Sequence, residues 1–434
     1  MKQFIRSIML LMAVLTICPA AVKAQMPQMP DIPVDTAVVM GKLPNGLTYY
    51  IRHNEYPKGQ ADFYIAQRVG SILENEQQLG LAHFLEHMCF NGTKAFPGNS
   101  LISWLESIGV KFGAHLNAYT AFDETVYNIT NVPTASTGVQ DSVLLILHDW
   151  ANDLLLEPEE IDKERGVIHE EWRSRNTGQQ RILTDLLPRI YQGERYGSRM
   201  PIGTMEVVDN FPYQALRDYY EMWYRPDQQG IIVVGDIDPI RIEAKIKEMF
   251  ADIEMPADAP ERVYYPVSDN PGTIYAIGAD KEQANALVFI DFKSDAIPNE
   301  MKTSQMYLLI KYCTSMITRM LNDRFQEMQM KPDCPFAVAQ ASIGDFWVSK
   351  TKESVQLVGA AKDGDILPVA SSIYREFLRA KRGGFTVSEY DRARDEYLSA
   401  LEKRYNNRNN TETSSYVNTY VKNFTENEPM PAID

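Results

Sequence analysis

The chain has 434 residues, 44% of them hydrophobic and 10% aromatic, enough to bury large cores in roughly two to three domains. A formal net charge of −15 argues against nucleic acid or an anionic membrane as a partner. Four cysteines in a chain of this length exclude a disulfide framework.

Residues 1–24 read as a secretory signal peptide. Lys2 and Arg6 form a basic start, Ile8 to Ile17 an apolar run, and Val22-Lys23-Ala24 a small-x-small cleavage site. The run is too short for a membrane span, and no later segment approaches the required length. Ile17 before Cys18 does not suit lipoprotein cleavage. The expectation is an exported protein, periplasmic or secreted, that starts near Gln25. Removing the three basic residues of the signal leaves 40 basic against 58 acidic residues, a net charge of about −18. Cys18 leaves with the signal. Of Cys89, Cys313 and Cys334, the last two could form one bridge, and unpaired core thiols are the favoured reading.

Residues 25–35 are Pro-rich and read as an extended lead-in. Asn45-Gly46 is a hairpin signal joining strands near 36–42 and 47–53. Ala61 to Val69 is a further strand, broken by Gly70-Ser71. A helix follows through Gly80-Leu81-Ala82-His83-Phe84-Leu85-Glu86-His87-Met88. Gly98-Asn99-Ser100 can cap another helix to about Ile108. Phe112 to Thr120 and Glu124 to Thr130 read as strands. Val139 to Leu155 is a long amphipathic helix. Glu157-Pro158 punctuates it before a second long helix carrying Glu164 and Glu171. A helix over Tyr213 to Met222, an apolar strand over Gln229 to Val234 and a helix to about Phe250 complete a domain at 36–251. Residues 252–272, with four prolines, read as a linker. A second set occupies 273–434: strands near 285–292, 335–343 and 352–360, with helices near 302–328, 366–382 and 387–423. The fold class is therefore α+β, with two similar domains, each a mostly antiparallel sheet packed with helices. The ending Glu428-Pro429-Met430-Pro431-Ala432-Ile433-Asp434 has loop composition. The second domain is thus expected to be incomplete at its C-terminal end.

The chemistry concentrates in His83, Glu86 and His87. On a helix, positions i, i+3 and i+4 share one face, so the three side chains point the same way. Two imidazoles one turn apart can hold a zinc ion, and the carboxylate beside them can take a proton from its water. The order H-x-x-E-H is the inverzincin motif. A catalytic zinc needs a third protein ligand. In the helix from Glu160, Ile161, Ile168 and Trp172 mark the buried face. Glu164 and Glu171 flank that face two turns apart, while Glu170 lies about 200° from Ile168. Periodicity favours Glu171 or Glu164 and does not choose between them. Cys89 turns away from the His83/His87 face and reads as core. His115 reads as structural or near a substrate, and His169 as surface. His53 and His148 show no partner.

These residues resemble a known signature. The stretch from Gly80 to Met88 with Phe90-Asn91-Gly92-Thr93 is similar to that of the pitrilysin/insulinase family of zinc peptidases. Further matches are Gly70-Ser71 with Glu74, Asn117-Ala118-Tyr119-Thr120 with Thr125 and Tyr127, Glu164-Arg165-Gly166-Val167-Ile168 with Glu171, and Tyr224-Arg225-Pro226 with Val233-Val234-Gly235-Asp236-Ile237. They cover most of residues 40–240 in the family's order. The resemblance implies the half-clamshell arrangement of these metallopeptidases. It implies one zinc ion held by His83, His87 and Glu171, with Glu86 as general base and Glu164 orienting a ligand. It also implies that the strand through Asn117 and Ala118 pairs with the backbone of a peptide substrate, a β-augmentation. His87 and Glu171 are 84 residues apart, slightly more than the family pattern, and an insertion within 133–160 would absorb the difference.

An Arg and Tyr pair that such enzymes supply from a later domain or a partner subunit has no match in 260–434. Two readings follow. The chain is the N-terminal half of a longer metalloendopeptidase acting on peptides or unfolded polypeptides, or it is a non-catalytic or partner-dependent subunit of a two-chain assembly. The complete zinc set favours the peptidase. A structural zinc module is disfavoured, because structural sites are usually four-ligand and Cys-rich.

Overall fold

The computed structural model describes residues 29–433, so the expected signal peptide and the first residues of the lead-in lie outside the described chain. The chain divides into two compact units.

One unit comprises Pro33–Ala286, Trp347–Thr351 and the chain from Asp395 onward. Its six-stranded sheet is built from β1 (Val38–Lys42), β2 (Thr48–His53), β3 (Gln60–Gln67), β4 (Leu116–Thr120), β5 (Thr125–Pro133) and β6 (Gln229–Gly235). The spatial order is β1-β2-β6-β3-β5-β4. Only the β2–β6 pair is parallel, and the other four pairings are antiparallel. Every residue of β6 is buried, which is why it reads as an unbroken apolar run rather than an alternating one. Gly46, at φ 105°, makes the β1–β2 turn, and the Asn45 amide donates to the carbonyls of Phe250 and Ile253. β4 is shorter than the expected strand: residues 111–115 form a turn, with the His115 and Leu116 amides both donating to the Lys111 carbonyl.

Among the described residues before 250, eight α-helices accompany this sheet: α1 (Leu81–Met88), α2 (Ser100–Ser107), α3 (Thr137–Asn152), α4 (Pro158–Arg175), α5 (Gly178–Ile190), α6 (Met205–Asn210), α7 (Tyr213–Trp223) and α8 (Pro239–Met249). α1 buries Leu81, Phe84, Leu85 and Met88 and packs on α4, α7 and β4. α4 opens with Pro158, Glu159 and Glu160 and closes with Arg173 and Arg175, charges that complement the helix dipole.

The second unit contains residues 29–32, Leu287–Phe346 and Lys352–Arg394. Here β7 (Leu287–Asp295), β8 (Phe336–Phe346) and β9 (Ser349–Ala361) form a sheet in the order β7-β9-β8. Short α9 (Asn299–Lys302), long α10 (Gln305–Gln329) and α11 (Ile366–Gly383) accompany it. Leu321, Phe325, Phe336, Leu357, Val369 and Ile373 form its core. Arg324 pairs with Glu376 and Glu389 inside this unit.

The expected helix over 387–423 is two helices, α12 (Val387–Asn406) and α13 (Thr413–Glu426). The Asn-rich run from Asn406 to Asn410 interrupts it, since Asn side chains compete with the helical backbone for hydrogen bonds. α13 belongs to the first unit. Its Val417, Tyr420, Val421 and Phe424 pack on Tyr50, Ala66, Val126, Ile232 and Val234 of the six-stranded sheet.

Candidate metal centre

α1 begins at a position that demands glycine. Gly80 sits at φ 100°, and a Cβ there would lie 3.0 Å from the Ile202 carbonyl oxygen. The buried Glu74 carboxylate accepts from the amides of Gly80 and Ala82, at 3.0 and 2.8 Å, and so holds the N-terminus of the helix. Burial pushes the Glu74 carboxyl up to about 8, against the pull of those two amides and of Arg199 and Arg195.

From this anchored helix His83, Glu86 and His87 face α4. Nε2 of His87 lies 3.1 Å, and Nε2 of His83 3.4 Å, from the same oxygen, Oε2 of Glu171. The two imidazoles meet edge to face with centroids 4.7 Å apart. One donor atom from each of His83, His87 and Glu171 lies within 4.8 Å of the other two. Glu164, two turns earlier on α4, accepts from His87 Nδ1 at 2.7 Å and from the Asn91 amide at 2.6 Å. Glu170, which periodicity set aside, is exposed and pairs with Arg173.

Glu86 is buried on the same face. The Thr120 hydroxyl at the end of β4 donates to its Oε2 at 2.5 Å, and Thr120 is itself approached by the Thr125 hydroxyl at 3.5 Å. Asn117 and Ala118 pair with Asn128 and Tyr127 of β5, leaving the other side of β4 as the sheet edge. The Asn117 side chain is exposed, and its amide donates back to the Gly113 carbonyl at 3.0 Å.

The carboxylates and imidazoles of the site hold one another in their charged forms. Burial would lower the His87 pKa, yet Glu164, Glu171 and Glu86 outweigh it and raise it to about 9. Burial would likewise raise Glu171, and His83 and His87 overcome it, holding its carboxyl well below the usual range. Two nitrogens and one carboxylate oxygen suit zinc, whose 2.0–2.2 Å bonds set neighbouring tetrahedral ligands about 3.3 Å apart. The separations of 3.1 and 3.4 Å fit that spacing.

Roles for Asn91, Thr120, Glu74 and Arg175 were not assigned from sequence. Arg175 pairs with the second Glu171 oxygen at 2.8 Å, an i, i+4 contact that helical spacing alone could have signalled. Cys89 is buried outside the donor cluster, its thiol pushed far up by burial, and its carbonyl accepts from the Trp150 indole. Cys313 and Cys334 are free. His169 is partly exposed and bonded to Asp209, and His115 Nδ1 faces the Lys111 amide. His53 and His148, read from sequence as lacking partners, both have them: the Ile237 carbonyl for His53, and Asp252 for His148.

An H-x-x-E-H helix facing a glutamate from a second helix, on an α+β sheet unit, is the inverzincin class of arrangement. Residues 51–200 match the profile of the insulinase family, peptidase family M16, and residues 210–310 that of the M16 inactive domain. The chain is 30% identical over 371 residues to the probable zinc protease PqqL of Escherichia coli K12, covering 86% of this chain and 39% of that protein. It is 28% identical over 395 residues to a zinc protease PQQL-like protein of Arabidopsis thaliana, covering 91% of this chain and 38% of that one. The crystal structure of the first half of the periplasmic protease PqqL from Escherichia coli superposes with a TM-score of 0.83 at 29% identity, covering 93% of this chain and 85% of that one. The chain belongs to the insulinase/pitrilysin peptidase family. It spans about two fifths of the length of these curated relatives. Among the described residues no helix is long and apolar enough to cross a membrane.

Proposed function

We propose that the chain is the zinc-binding, N-terminal half of an exported metalloendopeptidase that cuts peptides or unfolded polypeptides. The observation that carries this reading is the convergence of His83 and His87 Nε2 on one Glu171 oxygen, with His87 Nδ1 bound by Glu164. His83, His87 and Glu171 would hold one zinc ion. Bound there, zinc supplies Lewis acidity and lowers the pKa of water.

The protein's own residues do the rest. Glu164 fixes the His87 ring so that Nε2 presents its lone pair to the centre. Glu86, restrained by Thr120, takes the proton from the attacking water and returns it to the leaving amine nitrogen. The free edge of β4, through Asn117 and Ala118, pairs with an extended substrate backbone. The length of the relatives, and the likeness to the first half of PqqL, support a further half or a partner subunit that completes the substrate site. The periplasmic name of that relative supports export, as do the signal-like residues at 1–24.

The test is Glu86→Gln in the complete enzyme. It should keep zinc and lose peptide hydrolysis, whereas near-normal turnover would remove Glu86 from the role of base.

A further inference from the structure

The geometry points to a second metal site, at the C-terminal end of α3, that takes a zinc-class divalent cation on His148, Asp149 and Asp153. One donor atom from each of the three lies within 4.8 Å of the others. His148 Nδ1 is 3.8 Å from Asp149 Oδ1 and 3.7 Å from Asp153 Oδ2. His148 is only 6% exposed, and its Nδ1 is buried with no hydrogen-bond partner among the described residues. A buried imidazole nitrogen that lies between two carboxylates, each too far for a hydrogen bond, is costly unless a cation or proton occupies the gap.

The surroundings match what a bound metal requires. Asp252 accepts from His148 Nε2 at 3.0 Å, which fixes the tautomer with its lone pair on Nδ1, the usual carboxylate–histidine–metal relay. The His148 ring is braced edge to face against Phe250 at 5.4 Å. Asp149 spends its other oxygen on the Thr93 hydroxyl at 2.5 Å and the Ala95 amide at 2.8 Å, leaving Oδ1 directed at the imidazole. Asp153 caps α3, where the last carbonyls add negative potential.

The gap is open to entry. The Asp153 side chain is 20% exposed, and the Lys94 ammonium, 3.4 Å from it, is 73% exposed and free to swing aside. The separations of 3.8 Å to Asp149 and 3.7 Å to Asp153 exceed the spacing of about 3.3 Å around a tetrahedral ion; a small rotation of Asp153 closes the second, and a small shift of the His148 ring toward Asp149 closes the first. An imidazole with two carboxylates selects zinc or a neighbouring transition ion over calcium or magnesium, which prefer oxygen alone. Such an ion would tie the end of α3 to residues 93–95, which follow α1, and through His148 to Asp252.

Zinc equivalents per chain test this, measured by elemental analysis after chelator stripping, zinc reconstitution and gel filtration. Wild type should hold two. Asp153→Asn and Glu171→Gln should each hold one, and the double variant none. Two equivalents in Asp153→Asn, or none in Glu171→Gln, overturn the second site. The Glu171→Gln measurement decides alone if Asp153→Asn does not fold. One equivalent in wild type that survives Glu171→Gln and disappears in Asp153→Asn keeps this site and removes the centre at His83 and His87 instead. A proton in place of the metal gives one equivalent in wild type and in Asp153→Asn and none in Glu171→Gln, which overturns the proposal.

Discussion

Glu164 grips His87 from behind: its Oε1 accepts from Nδ1 at 2.7 Å while Nε2 of the same ring faces Glu171 at 3.1 Å. One glutamate on α4 thus orients a histidine toward another glutamate two turns further along the same helix. Carboxylates in this orienting position typically change metal affinity 10–100-fold. Glu164→Ala should therefore weaken zinc binding at this centre by roughly one to two orders of magnitude. Chelator competition reads this directly, and unchanged affinity would assign Glu164 a purely packing role.

Thr120 restrains the other functional carboxylate. Its hydroxyl donates to Glu86 at 2.5 Å, and a hydrogen bond to a charged group contributes about 1.5–3 kcal/mol. Thr120→Val removes the donor at nearly constant volume. It should leave zinc content intact and lower kcat/KM by roughly tenfold or more, because Glu86 loses the donor that fixes its orientation. Unchanged kcat/KM at full zinc content would contradict this.

Lys350 bridges Glu124 at 2.5 Å and Glu426 at 2.9 Å within the zinc-site unit, and Tyr119 of β4 donates to the other Glu124 oxygen. Burial opposes both charges, yet the pairing lowers the Glu124 pKa and raises that of Lys350. The depressed carboxylate contributes stability above its ordinary value of 4.5, lost as pH falls through its folded value. The raised ammonium contributes below its ordinary value of 10.5, lost as pH climbs through its folded value. Lys350→Met should cost about 1.5–3 kcal/mol between those limits and less outside them. Urea unfolding across pH measures it, and a cost independent of pH would refute the pairing argument.

Gly203 approaches α1 from outside. A Cβ on Gly203, which has φ 66°, would lie 2.3 Å from the Gly80 Cα, whereas one on Gly80 meets its nearest atom at 3.0 Å. Gly203→Ala should therefore destabilise more than Gly80→Ala, each by at least about 1 kcal/mol from the positive φ alone. Thermal unfolding ranks them, and the reverse order would contradict the packing described.

Some of this was legible in sequence because it is local. His83, Glu86 and His87 share a face by helical spacing, and the inward stripe of Ile161 and Ile168 narrowed the acidic candidates to Glu164 and Glu171. Which of the two points at the histidines depends on how α4 lies across α1, a tertiary fact that only the family resemblance anticipated. Thr120 reaches Glu86 across 34 residues, and Asp252 reaches His148 across 104 from a segment without periodicity, so neither contact leaves a local trace. The amphipathic pattern of α13 marks an apolar face, yet not the sheet that receives it.

His83, His87 and Glu171 are proposed to form one zinc centre. The most direct test is the zinc content of Glu171→Gln beside Glu164→Gln, both in an Asp153→Asn background so that only this centre is counted. Glu171→Gln should empty the centre, while Glu164→Gln should retain most of its zinc at saturating metal. Full zinc in Glu171→Gln with loss in Glu164→Gln would contradict it.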